Sequence, residues 1–157
     1  MAGERSERRR LLAERYVALL RGIHPGAPAT HARWRALIEL GDAAIPPLEH
    51  ELRTSEAPFR RWAAAVLACI DSQATRVALG GAIDDDDDQV RLHAAIALAR
   101  LGDARALPSL DVAAEQGLPW MRWDAIVALG ALRDPRSLPV LARAQVLRDA
   151  LRGPDTE

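Results

Sequence analysis

The chain of 157 residues contains no lysine and no asparagine, one cysteine, one phenylalanine and one tyrosine. A single cysteine, Cys69, excludes a disulfide framework and any metal site built from several thiolates. Valine, isoleucine and threonine together number 19, against 31 alanines and 22 leucines. A sheet protein of this size needs many more β-branched and aromatic residues, so the composition predicts an all-α fold. An excess of charge is missing too: 21 arginines against 22 acidic residues leave a net charge of −1. That speaks against a nucleic-acid partner, which asks for a basic surplus. No apolar run approaches the roughly 18 residues of a bilayer span. The charged first ten residues have no apolar stretch behind them. Neither a membrane partner nor a signal peptide is expected, which points to the cytoplasm.

What the sequence does contain is a repeat. Phe59 to Leu67, Val90 to Leu98 and Met121 to Leu129 superimpose without gaps at a spacing of 31 residues. Each runs on to an apolar residue (Ile70, Leu101, Leu132) and then a short polar turn, Asp71-Ser72, Gly102-Asp103 or Arg133-Asp134. A second helix follows, clearest as Ala106-Leu107-Pro108 and Ser137-Leu138-Pro139. Leu40-Gly41-Asp42 with Ile45-Pro46-Pro47-Leu48 is an earlier copy, its first helix out of register by one residue. Leu48, Leu79, Leu110 and Leu141 keep the spacing of 31.

One copy is too short to bury its own apolar stripe, such as Val90, Ala94, Leu98 and Leu101. Stacking successive pairs merges the stripes into a continuous core. Alanine lets the helices approach closely, and proline at 46, 108 and 139 falls in the first turn of a second helix, where a missing N–H costs little. Ser6 to Arg21 reads as an amphipathic capping helix with a charged outer face, and Gly22 to Ala29 as a linker. The expected organisation is a capping helix over residues 1–24, four repeats over 25–151 and a frayed tail over 152–157. That makes nine helices in a right-handed α-α solenoid without strands.

The pattern Val90-Arg91, Ala94-Ala95, Leu98, Leu101-Gly102-Asp103, Ala106-Leu107-Pro108, Leu110 resembles the bacterial HEAT-like repeat named after phycobilisome lyase subunits, over residues 30 to 150. The repeated residues are those that build the scaffold, so the resemblance implies a fold far more than a function. Two departures stand in the second repeat: Asp71-Ser72 lacks the glycine, and Arg76 replaces the leucine of Leu107 and Leu138. A less regular second helix is expected there.

The acidic run Asp84 to Asp88 falls in the turn before Val90. Carboxylates bind Ca²⁺, but this run lacks the alternating ligands and the glycine of an EF-hand loop. Capping the next helix is the better reading, and Asp85→Asn with Asp86→Asn is expected to leave function intact with a modest change in stability. Arg60, Arg91 and Arg122 share one repeat position, and the resemblance implies a structural pairing with turn carboxylates such as Asp103. His24, His31, His50 and His93 lack metal-ligand spacing, and no phosphate loop or nucleophile elbow is present. No metal, cofactor or catalytic residue is therefore assigned. Cys69 reads as a small packed residue, and Trp34 as core.

A binding surface is expected on the wall made by the second helices. Register columns place His50 and Arg143 at opposite ends, Arg105 and Arg136 along one margin, and Val112, Val140 and Gln116 between them. Trp120 and Trp123, one helical turn apart, form a second candidate aromatic surface. The absence of a catalytic constellation favours a non-catalytic module that holds a protein or peptide on its concave face. The alternative is a lyase-, isomerase- or cyclase-type enzyme or chaperone for a small apolar ligand, with Glu49 or His50 as acid–base groups. A HEAT-like DNA glycosylase is disfavoured by charge and length. The register leaves the oligomeric state open.

Overall fold

A computed structural model of the chain describes residues 2–21 and 28–144. Helices α1 (Ala2–Leu20), α2 (Pro28–Leu40), α3 (Ile45–Thr54), α4 (Ala57–Ala68), α5 (Gln73–Gly80), α6 (Asp88–Arg100), α7 (Leu107–Gln116) and α8 (Pro119–Leu132) follow in order. Residues 138–144 are helical and are called α9. Among the described residues there is no strand. The fold is an all-α solenoid of stacked helical pairs. Most of the linker and all of the expected tail lie outside the described residues.

First helices stack on one another, α4 on α6 and α6 on α8. Second helices fill the angle between them, with α3 against α4 and α7 against α6 and α8. The central helix α6 is buried nearly all round, which is why its apolar residues are not confined to one stripe. Val90, Ala94 and Ala97 belong to the core of the N-terminal half, and Leu92, Ala95, Leu98 and Ala99 to that of the C-terminal half. Leu48, Leu79 and Leu110, one register position in three repeats, are all fully buried.

The turns explain the small residues between helices. Gly102 (φ 70°) and Arg133 (φ 55°) occupy the same register position in the left-handed region. Glycine adopts that conformation freely, whereas a side chain there costs on the order of 1 kcal/mol. The next residue is the device that starts the second helix, directly at Ser72 and through a 3-10 turn at Asp103 and Asp134: these side chains accept the amides of Ala74, Arg105 and Arg136 at 3.2, 3.1 and 2.9 Å. In the second repeat, where the glycine is absent, the buried Thr75 hydroxyl also donates to the Ile70 carbonyl (3.0 Å). Arg76, standing where the next two repeats have leucine, donates to the Leu101 carbonyl at 2.5 Å and so ties α5 to the end of α6. The irregularity is a polar tie to the next repeat, made in place of a leucine contact.

Helix α1 begins earlier than Ser6 and docks through arginine. Arg9 donates to the carbonyls of Glu39 and Leu40 (3.1 and 3.0 Å), satisfying the open end of α2. Arg21 donates to both carboxylate oxygens of buried Glu51 on α3 (2.7 and 2.8 Å). Cys69, expected to be packed, is exposed at the end of α4.

Candidate functional site

The acidic run divides in two. The backbone is extended at Asp85 and Asp87, and extended residues point alternately to opposite sides. Asp85 and Asp87 turn inward while Asp84, Asp86 and Asp88 are exposed. Asp87 caps α6 by accepting the amides of Gln89 and Val90 (3.0 and 3.2 Å), and it receives Arg61 Nε from α4 at 2.8 Å. Asp85 receives Arg60 through Nε and Nη2 (2.9 and 2.8 Å) and also accepts the Asp87 amide (2.9 Å). The loop is thus bolted to the preceding repeat by two arginines that follow one another in sequence. Asp86 also pairs with Arg60, and Asp88 with Arg91. Among the described residues no three side chains of His, Cys, Asp or Glu are placed to share a metal ion.

These exposed carboxylates form one wall of a cleft of about 750 Å³. Pro108, Ser109, Val112, Ala113 and Gln116 of α7 form the other wall, and Ile83 and Met121 contribute apolar surface. Helix α5 is short and gives way to a 3-10 turn (Ala82–Asp84), which leaves this face of α7 uncovered. Four aspartates and one arginine, Arg91, line the space, so its field is negative. Clefts of one sign with low-dielectric walls concentrate oppositely charged partners.

The arginine column is structural in a way the spacing alone does not reveal. Arg60, Arg91 and Arg122 each donate back to a carbonyl in the loop before their own helix: Ser55 (3.2 Å), Asp85 (2.6 Å) and Gly117 (2.7 Å). The expected partner Asp103 is instead held by Arg105 at 2.7 Å, with Arg76 at 3.8 Å. Gly117 lies against α7, where an added Cβ would sit 2.4 Å from the Ala113 carbonyl oxygen, so this crossover demands glycine.

A family model described as HEAT repeats matches residues 45–118 and again 75–155, together more than half of the chain. This chain belongs to the HEAT-repeat family. Among solved structures it is similar to human deoxyhypusine hydroxylase in complex with glycerol, with a TM-score of 0.51 and 23% identity. The likeness covers 76% of this chain and 43% of that one, so the chain spans less than half of that protein, and what is shared is the fold. No curated protein matches the sequence.

Of the surface expected on this HEAT scaffold, Val112 and Gln116 line the cleft. The three arginines do not line it. Arg105 and Arg136 sit in the turns within their repeats, each folded onto its own Asp103 or Asp134 at 2.7 Å. Hydrogen bonding from Arg136 brings Asp134 down to about 2. Arg143 pairs with Glu115. Val140 is buried in the C-terminal core and offers no contact to a partner. His50 is exposed beside a smaller cleft with Arg21 and Pro47. Trp120 and Trp123 are both exposed, whereas Trp62 is packed edge-on to Trp34 (6.3 Å between ring centres) and against Phe59 (5.1 Å). The exposed aspartates were missing from the expected surface; the alternation of an extended link between two helices is the signal that marks them.

His93 on α6 is mostly buried, and burial lowers its pKa below 6.5 against the opposing charges of Asp124 and Asp87. Protonation then favours the unfolded chain. The stability that neutral His93 supports is complete above about pH 6.5, the unfolded value, and is lost as pH falls from there through the lowered folded value. The carboxylates of Asp87, Asp103 and Asp134, lowered chiefly by Arg61, Arg105 and Arg136, act in a separate window. Their contribution is present above about pH 4 and is lost as pH falls through their lowered values, about 2 for Asp134. The melting temperature is expected to fall in two stages on acidification, and His93→Gln is expected to remove only the first. A first stage that persists in the variant excludes His93 as its source.

Proposed function

We propose that this HEAT-repeat chain is a non-catalytic scaffold that holds an extended basic segment of a protein partner in the cleft between the acidic loop and α7. The observation that supports it is the composition of that cleft. Exposed Asp84, Asp86 and Asp88 line the same open space as Val112, Met121 and Ile83. Alternating basic and apolar side chains suit such walls, and Gln116 can bond the backbone of an extended segment. A scaffold also fits the way the arginine column is used, since all three members serve loop carbonyls. The finer likeness to phycobilisome-lyase-type repeats lies in the scaffold residues and adds nothing to the ligand.

The rival surface is Arg136 with Arg143, gripping an acidic partner. Two labelled peptides decide between them by fluorescence anisotropy, one alternating arginine and leucine, the other glutamate and leucine. The basic peptide is expected to bind, more weakly as salt rises. Asp84→Asn with Asp86→Asn is expected to weaken it at least about tenfold, or roughly 1.4 kcal/mol, with the melt nearly unchanged. Preference for the acidic peptide, lost on Arg136→Ala with Arg143→Ala, would move the site to the arginines. A small apolar molecule that raises the melting temperature while neither peptide binds would favour the ligand-handling alternative.

A further inference from the structure

The residue before each first helix keeps the register of 31 and is Glu56, Asp87 or Leu118. Asp87 caps α6 by accepting two amides, and Glu56, although its side chain caps nothing, is polar and exposed. Leu118 has no side-chain acceptor, and α8 starts without a side-chain cap. A leucine here forgoes the stabilisation that Ser, Thr, Asp or Asn supplies at such a position. Packing does not offset the loss, because Leu118 is 57% exposed. What Leu118 does line is a cleft of about 420 Å³, together with Arg61 and Gln89. This cleft and the acidic one have Asp86, Asp88, Gln116, Gly117 and Met121 in common, so they join past Gly117 into one groove. The ends of the groove differ. Asp84 lines only the first cleft and makes no ion pair among the described residues. At the other end the Arg61 side chain is 40% exposed, and its charge disfavours a further cation.

We propose that Leu118 selects the partner segment, seating an apolar side chain about five residues away from the basic residues that Asp84 attracts. This rests on the acidic cleft being the partner site. The 10 residues of α7 rise about 15 Å at 1.5 Å each. An extended segment covers that length in about five residues at 3.3 Å each. Charge decides the occupant. Five aspartates and two arginines, Arg61 and Arg91, line the joined groove, so it attracts a basic segment of a partner protein. The chain's own residues 145–157 carry Arg148 and Arg152 against Asp149, Asp155 and Glu157, the same sign as the groove. A second copy, at a net charge of −1, brings no attraction either.

Fluorescence anisotropy of the full chain with two labelled peptides tests the assignment. One carries two arginines and, five residues on, a leucine; the other has serine in place of that leucine, and each is made in both chain orders. In one order the leucine peptide is expected to bind at least about fivefold tighter than the serine peptide, as burial of part of a leucine allows. Leu118→Ser is expected to erase this preference while raising the melting temperature by roughly 2–4 °C, because serine supplies the missing cap. Leu118→Ala is expected to erase it with the melt nearly unchanged. Tighter binding lost as stability is gained is a result that a scaffold leucine does not give. A preference that survives both variants overturns the proposal, as does a melting temperature that falls in both. A labelled peptide of residues 145–157 that binds as tightly as the leucine peptide overturns it in favour of the chain's own end. Self-association abolished by Leu118→Ser overturns it in favour of a second copy. Equal binding of the leucine and serine peptides overturns this assignment alone, whereas failure of every basic peptide to bind overturns the acidic cleft as the partner site as well.

Discussion

Leu98→Asp is expected to abolish the cooperative thermal transition of the protein. Leu98 is fully buried in the C-terminal core, which also contains Leu107, Leu110, Ala125 and Leu129. Removing a buried leucine side chain costs about 2–5 kcal/mol through lost transfer energy and the cavity left behind. Putting a carboxylate there without a partner adds several more, because the charge must be desolvated or the group protonated. The sum is on the order of the whole stability of a domain, about 5–15 kcal/mol. Val77→Asp is the control, since Val77 on α5 is largely exposed and such surface changes stay within about 0.5 kcal/mol. Circular dichroism melts of the two variants separate the cases. A cooperative melt in Leu98→Asp would mean that α6 is not the double-sided helix on which both halves of the stack rest.

That helix was legible because a repeat reports the same position several times. Leu48, Leu79 and Leu110 each mark the buried side of a second helix, and the agreement of three copies outweighs any single propensity. The same logic failed where one copy departs from the others. Val140 lies one residue before Leu141 and its register column puts it on the binding wall, yet it is buried. Arg76 looked like a flaw in the packing and is a tie between repeats, because a long cation can reach a carbonyl that a leucine cannot use. Trp62 and Trp123 are one register step apart, and that step separates a ring packed on Trp34 from one open to solvent. Least legible was the acidic run. Five identical side chains carry no pattern of their own, and which of them turn inward is decided by the extended backbone between α5 and α6 together with Arg60 and Arg61.

This division of the run sets up a contrast large enough to measure. Asp85→Ala with Asp87→Ala is expected to cost about 3–5 kcal/mol, from the loss of a helix cap and of two part-buried charge-assisted hydrogen-bond sets. Each removal also strands a guanidinium: Arg60 is little exposed and loses its partner Asp85, and Arg61 loses Asp87. For a chain of this size the melting temperature should fall by roughly 10 °C or more. Asp84→Ala with Asp86→Ala is expected to change it little or to raise it slightly, since among the described residues Asp84 makes no ion pair, and the Asp86 carboxylate is itself almost fully exposed while Arg60 keeps Asp85. The earlier expectation that Asp85→Asn with Asp86→Asn is mild therefore has to be split, with nearly all of the loss coming from Asp85. The two pairs should also part company in the anisotropy assay. Losing Asp84 and Asp86 strips charge from the cleft while the loop stays bolted, so binding falls without instability; losing Asp85 and Asp87 loosens the loop itself. Equal destabilisation by both pairs would show that the run acts through its total charge, and the assignment of scaffold and surface roles to alternate aspartates would have to be abandoned.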